Sequence, residues 1–230
     1  MNGMKDLKFF LLAIVAALSA CSLQDDDGER MANAAAWPDA IVTIKTRTSG
    51  ETFFQLDDST TLEPVGWKNP YRREIRALVK YDVLSGKSEQ FSCKISVSRV
   101  DTIRTKNALA VDEPEAAAVR PDGGDPVDIV FDWLTVCEDG YLTVHFGAKW
   151  GVYNRPHLVN LLANTKTREL EFIHSAEGDE GGSVWKEGIV AFKISELFSR
   201  VEEDEMILTL KWQSYNGPQT QKLVYKVRRQ

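Results

Sequence analysis

Phe91-Ser92-Cys93-Lys94-Ile95-Ser96-Val97-Ser98 is the stretch on which the fold turns. Phe91, Cys93, Ile95 and Val97 alternate with Ser92, Lys94, Ser96 and Ser98, the period of a strand with one face in a core and one in water. Upstream, Ile75, Ala77, Val79 and Tyr81 alternate with Arg76, Leu78 and Lys80, which places Arg76 and Lys80 on the outward face. Ile41-Val42-Thr43-Ile44 is β-branched, as strands prefer. Thr52–Leu56 runs into Asp57-Asp58-Ser59, ordinary turn chemistry, and then into Leu62–Val65. Five short strands with no helical period predict a small barrel over residues 39–106.

Beyond the barrel, residues 107–125 break the pattern. Pro114, Pro121, Gly123, Gly124, a run of alanines and several acids read as an interdomain linker. Strands resume at Val127–Phe131 and recur at Tyr141–Phe146, Leu158–Leu162, Glu169–His174, Ile189–Ile194, Met206–Trp212 and Lys222–Val227. Short strands spaced by turns predict an antiparallel β-sandwich over 126–230. Ser195–Val201 is the one helical signal: Ser195 as N-cap and Glu196 in the first turn predict one or two turns on a sheet edge.

The N-terminus carries an address. Lys5 and Lys8 precede the apolar run Phe9–Leu18, and Leu18-Ser19-Ala20-Cys21 reads as a lipobox. The run is short for a helix that must cross ~30 Å of hydrocarbon. Residues 1–20 are therefore read as a lipoprotein signal peptide, Cys21 as the lipidated residue, and residues 21–38 as a polar tether. Ser22 is not the Asp that retains enteric lipoproteins at the inner membrane. The acids Asp25, Asp26 and Asp27 fit either a surface-export tag or a plain solvated linker. The expected location is the outer membrane, at the cell surface or facing the periplasm.

The chain has 230 residues, 43% of them hydrophobic, as a globular protein requires. Its net charge of −6 falls to about −7 once Lys5, Lys8 and Asp6 leave with the signal. An acidic protein is a poor partner for a nucleic-acid backbone, and none is expected. Cys93 and Cys137 fall in strand-like segments of different halves. They are read as two small buried residues, with a disulfide as the alternative in an oxidising compartment.

No motif carries chemistry. Asp57 and Asp58 point to opposite faces if in a strand, so they do not share a site. Asp122, Asp125 and Asp128 lack the spacing of a calcium loop. His145, His157 and His174 lie on three predicted strands or strand starts, with no zinc or catalytic spacing, and G-x-S-x-G is absent. No catalytic residue, metal or cofactor is expected. The surface candidate is Lys149–Arg155, where Trp150 and Tyr153 flank Gly151 beside Asn154 and Arg155. Aromatic platforms bordered by hydrogen-bonding groups bind sugars and peptides. Trp150, Tyr153 and Arg155 are the candidate ligand-binding residues. The alternative is that the rings cap the sandwich core.

The order and spacing of many weak motifs resemble the NigD-like lipoproteins. In the first half these are Thr52, Phe54, Asp57-Asp58, Leu62, Pro64, Arg76–Tyr81, Val97, Val100 and Thr105-Lys106. In the second they are Asp125-Pro126, Gly140-Tyr141-Leu142, His157–Leu161, Leu170-Glu171-Phe172 and Phe192–Ser195. Ser59 stands where the family often has glycine. The resemblance implies an N-terminal OB-fold, a C-terminal β-sandwich and a role in immunity to a bacteriocin, a role that rests on gene neighbourhood. The expected function is thus non-catalytic recognition by a lipid-anchored monomer, with immunity or defence first. A glycan- or peptide-binding accessory lipoprotein is the alternative. The membrane is a partner through the lipid; the protein or glycan partner is unnamed.

Overall fold

A computed structural model describes residues 38–119, 124–153, 155–179 and 182–228. The expected signal peptide, Cys21 and all but the last residue of the tether lie outside these. Strands β1 (Ala40–Thr46), β2 (Thr52–Gln55), β3 (Thr61–Pro64), β4 (Ile75–Val83) and β5 (Cys93–Thr102) close a barrel in the order β1-β2-β3-β5-β4. Val42, Ile44, Phe54, Leu62, Ile75, Ala77, Val79 and Ile95 fill it. The Asp57 turn forms as read. Its Oδ1 accepts the backbone N–H of Ser59 at 2.8 Å and of Thr60 at 2.7 Å. Burial works to raise the Asp57 carboxyl, but these bonds outweigh it and hold the group below the ordinary range.

The chain continues through β6 (Arg104–Asn107), β7 (Leu109–Ala110), a short helix α1 (Pro114–Ala118), β8 (Asp128–Val130), β9 (Val136–Glu138) and β10 (Tyr141–Trp150). Then come β11 (Leu158–Asn164), β12 (Glu169–Ser175), β13 (Val184–Lys193), β14 (Glu205–Ser214) and β15 (Gly217–Lys226). One sheet runs β6-β13-β10-β8, with β9 also on β10; the facing sheet runs β15-β14-β12-β11-β7. Leu142, Val144, Val190 and Phe192 of the first meet Leu161, Leu170, Phe172, Leu208, Leu210 and Tyr225 of the second.

Three details differ from the sequence reading. The pairs β6–β13, β7–β11 and β12–β14 are parallel, so the sandwich is mixed. Alternation marks a strand but not its direction. The segment expected as a linker contributes β7 to the second sheet, and α1 packs Ala116 on Leu162 and Ile173. Ser195–Val201 forms successive turns rather than a helix. Ser195 N–H donates to Gly140 O at 3.0 Å, and the turns close by i→i+3 bonds such as Leu197 N to Ile194 O at 3.1 Å. Cys93 and Cys137 are free, which removes the disulfide alternative.

Barrel and sandwich share a core. Ile41, Leu78 and Ile103 pack against Leu134, Val136, Tyr141, Ile189 and Ala191. Strands β1 and β4 are therefore covered on both faces, which accounts for the unbroken apolar run at Ala40–Val42. Arg76 points outward from the barrel as the alternation requires, but into this junction and not into water: it is 0% exposed. Its Nη1 donates to Thr43 Oγ1 at 2.9 Å, its Nε to Thr143 Oγ1 at 3.3 Å, and its Nη2 pairs with Glu138 Oε1 at 2.5 Å. Burial pushes Glu138 up, and Arg76 only partly counters it.

Glu138 leads into a two-residue hairpin, Asp139-Gly140, with φ of 48° and 81°. Both values belong to the left-handed region that this turn demands. Asp139 N–H donates to Asp58 Oδ1 at 2.7 Å, and its carboxylate takes Lys45 Nζ at 2.6 Å. Arg228 grips Glu74 with two bonds of 2.8 and 2.6 Å, and Tyr141 Oη donates to the same carboxylate. Burial works to raise Glu74, but these donors hold it below its ordinary range. Gly140 has no room for a side chain: a Cβ there would lie 2.7 Å from Ser195 Cβ.

Removing one member of a buried ion pair strands the other. Arg76→Ala is expected to cost about 3–5 kcal/mol in urea unfolding. A double change of Arg76 and Glu138 to Met should recover most of that loss. Tryptophan fluorescence and far-ultraviolet circular dichroism should report one coincident transition in the parent chain, since barrel and sandwich share a core.

Candidate functional site

The candidate residues sit where β10 runs out towards β11. Asp179 is 1% exposed and faces the connecting loop. Its oxygens accept the N–H groups of Gly151 at 3.2 Å, Tyr153 at 3.0 Å and Arg155 at 3.3 Å. Charge-assisted bonds of this kind are roughly twice as strong as neutral ones. Gly151 permits the approach, because a Cβ there would fall 2.4 Å from Asp179 Oδ1. The sequence offers no local sign of this, as donor and acceptors lie in separate loops.

The loop turns its side chains outward. Val152 is 90% exposed and Tyr153 70%. The Arg155 guanidinium lies 5.4 Å from the Tyr153 ring centroid, and its Nη1 donates to Glu177 O at 3.0 Å. Trp150 behaves differently. It is half-buried and stacks flat on His157, centroids 4.0 Å apart and planes 2° off parallel, while Lys186 Nζ stands 4.3 Å from its centroid. Its face is already occupied. The structure brings Tyr153 and Arg155 together and gives Trp150 to the wall behind them.

Two of the three histidines meet there. His157 Nδ1 and His174 Nε2 are 2.8 Å apart, and His174 Nδ1 faces Pro126 O at 3.1 Å and Asp125 O at 3.3 Å. Carbonyls only accept, so His174 carries its proton on Nδ1 and takes a bond from His157 on Nε2. His174 is 2% exposed, and burial, aided by His157, lowers its pKa. Sequence spacing hides this pair, but the hairpin register does not: β11 and β12 set Val159 opposite His174. Ser175, the next residue, donates to Glu177 Oε1 instead, because neighbours on a strand point apart. His145 lies elsewhere, between Asp132 at 2.9 Å and Glu187 at 3.3 Å. Among the described residues no three His, Cys, Asp or Glu side chains gather as metal ligands.

A five-stranded OB barrel joined through a shared core to a two-sheet sandwich defines the architecture. The chain matches the NigD-like N-terminal OB domain over residues 41–103 and the NigD-like C-terminal beta sandwich domain over residues 110–225. It belongs to the NigD-like family. A candidate toxin-related protein from Parabacteroides distasonis ATCC 8503 is 26% identical, with a TM-score of 0.65 over 82% of this chain and 92% of its own. A NigD-like immunity protein from Bacteroides caccae ATCC 43185 is 18% identical, with a TM-score of 0.53 over 82% of this chain and 96% of its own. A candidate lipoprotein from Bacteroides fragilis NCTC 9343 is 12% identical, with a TM-score of 0.50 over 83% and 97%. At those identities the last two share the fold. No curated protein matches the chain.

The lowered pKa of His174 sets a pH dependence. Between that value and the ordinary 6.5, the unfolded chain binds the proton more readily. The stability contributed by neutral His174 is full above 6.5 and is lost as the pH falls through the lowered value. The melting temperature should therefore drop between about pH 7 and pH 5. His174→Asn, which keeps a donor for Pro126 O, should flatten that slope while Asp125 and His157 remain beside it.

Proposed function

We propose that this chain is a lipid-anchored, monomeric outer-membrane protein that recognises a polypeptide partner without catalysis, in the manner of an immunity protein. The loop bearing Val152, Tyr153 and Arg155 is the recognition surface. The observation that carries this reading is the buried Asp179 carboxylate. It holds three backbone N–H groups of a loop whose apolar side chains face water. A loop tied from within and apolar without suits a protein contact, because little ordering entropy remains to be lost on binding. The 18%-identical relative from Bacteroides caccae, described as an immunity protein, supports the same reading by analogy alone. The accessory glycan reading needs a pair of open aromatic faces, and Trp150 has given its own to His157.

The function is tested by expressing the chain in a toxin-sensitive host and scoring survival against a panel of bacteriocins. Replacing Val152 with Ser and Tyr153 with Ala removes two exposed anchors, each contributing about 1 kcal/mol or more at a hot spot. Protection should collapse while the melting temperature stays nearly unchanged, because exposed side chains hold little core. Survival equal to the parent's would move recognition away from this loop.

The anchor is tested separately. One acyl chain holds a membrane weakly, whereas a lipoprotein cysteine carries more than one. Cys21→Ala should shift the protein from the detergent phase to the aqueous phase on Triton X-114 partitioning.

A further inference from the structure

At the barrel–sandwich junction, far from the loop, lies a groove of about 700 Å³. Strand β10 separates the two places: Tyr141 lines the groove and Trp150 carries the loop, ten residues along one strand. At ~3.3 Å per residue they stand about 30 Å apart. The groove is basic although the protein is acidic. Arg72, Arg73, Arg104 and Lys193 line it, against Glu74 as the one carboxylate. Glu74 is already committed to Arg228 and Tyr141. Lys193 pairs with Glu196 at 2.6 Å. Among the described residues no carboxylate pairs with Arg72, Arg73 or Arg104, and all three are exposed.

Strand β6 adds a second feature to the groove. Arg104, Thr105 and Asn107 belong to β6, which ends its sheet and pairs with β13 alone. An edge strand presents main-chain N–H and C=O groups in a row, a template for one more strand. Arg104 through Asn107 are mostly exposed, with only Lys106 turned towards Val159 O and Asn160. Natural edges are often blunted by charge, but a blunted edge needs no flanking cleft. Here Arg72 and Arg73, from the β3–β4 connection, line the same groove.

We propose that this groove binds an extended, acidic polypeptide segment, which adds to β6 as a further strand and places its carboxylates on Arg72, Arg73 and Arg104. Main-chain bonds to an edge strand supply affinity, and alternate side chains supply specificity. The guanidinium fork matches a carboxylate with two parallel bonds, so arginine suits this task better than lysine. Phosphate or an acidic polysaccharide would find the charge but could not use the strand edge. The site is additional to the Tyr153 loop, and neither depends on the other.

The probe is a fluorescein-labelled hexapeptide of alternating Glu and Val, titrated by fluorescence anisotropy. The same peptide N-methylated at alternate residues keeps the charge and blocks strand pairing. The plain peptide should bind, weakening as salt rises. Arg72→Ala/Arg73→Ala/Arg104→Ala should weaken it by about tenfold or more, and N-methylation by a similar factor. Its melting temperature should match the parent's, because among the described residues the three side chains hold no ion pair. A second variant, the same three arginines changed to Lys, should retain part of the binding and guards against misfolding. No binding by the parent, or equal binding by the alanine variant, overturns the proposal. Equal binding of the N-methylated peptide, or of polygalacturonate at matched charge, would leave an unspecific anion surface and overturns it too. Val152→Ser/Tyr153→Ala should bind the hexapeptide as the parent does, so failure at one site is read apart from failure at the other.

Discussion

The pairing of Arg76 with Glu138 is the constraint on which the architecture rests. A guanidinium with no exposed surface cannot be left without a counter-charge, and among the described residues that counter-charge comes from the other half of the molecule. Glu138 reaches it because the next two residues turn the chain in a two-residue hairpin. The tip of that hairpin is in turn fixed by Asp58, Lys45 and Arg228. Such an ion pair adds little net stability over a well-packed apolar core. What it does is make one docking geometry acceptable. Any slip of barrel against sandwich would leave both charges in a low-dielectric junction beside Leu78, Ile103 and Leu134.

The same device recurs at the far end of β10 on a smaller scale. Asp179 is buried and is satisfied by backbone N–H groups rather than by a cation. In one place buried charge fixes two bodies to each other; in the other it fixes a loop to its own body. Between them runs a strand with Leu142, Val144 and Ala148 in the core, which makes it a stiff element. The Trp150 stack on His157 and the bond from His157 to His174 brace the base of the same loop, where β10 ends and β11 follows.

The sequence made much of the fold legible because period-2 alternation is a local signal. Ile75–Tyr81 lies in β4 as read, Cys93–Ser98 of the stretch Phe91–Ser98 lies in β5 with Phe91 and Ser92 just before it, and Met206–Trp212 lies in β14. Three kinds of information are not local and were missed. Strand direction is one, and it produced the parallel pairs. The environment of an outward face is another: Arg76 alternates exactly as a solvent-facing residue would, and only its docking partner makes it buried. The third is contact between loops, such as Asp179 with Gly151, Tyr153 and Arg155. Among the candidates, the sequence treats Trp150 and Tyr153 alike and leaves open that both cap the core; the structure exposes Tyr153 and stacks Trp150 on His157, which arrives through the return of the chain.

The parallel pairing of β6 with β13 has a consequence for how the molecule is made. Arg104 waits for Val190, and Lys106 for Phe192, so a strand that follows directly from the barrel finds its partner only after most of the sandwich has been synthesised. Contacts so distant in sequence raise the contact order and slow the final step. Until then the barrel holds Ile41, Leu78 and the charge of Arg76 uncovered, a sticky surface on an otherwise closed domain. A nascent chain of this design depends on protection from association during that interval, and the vulnerable face is the one that later becomes the junction.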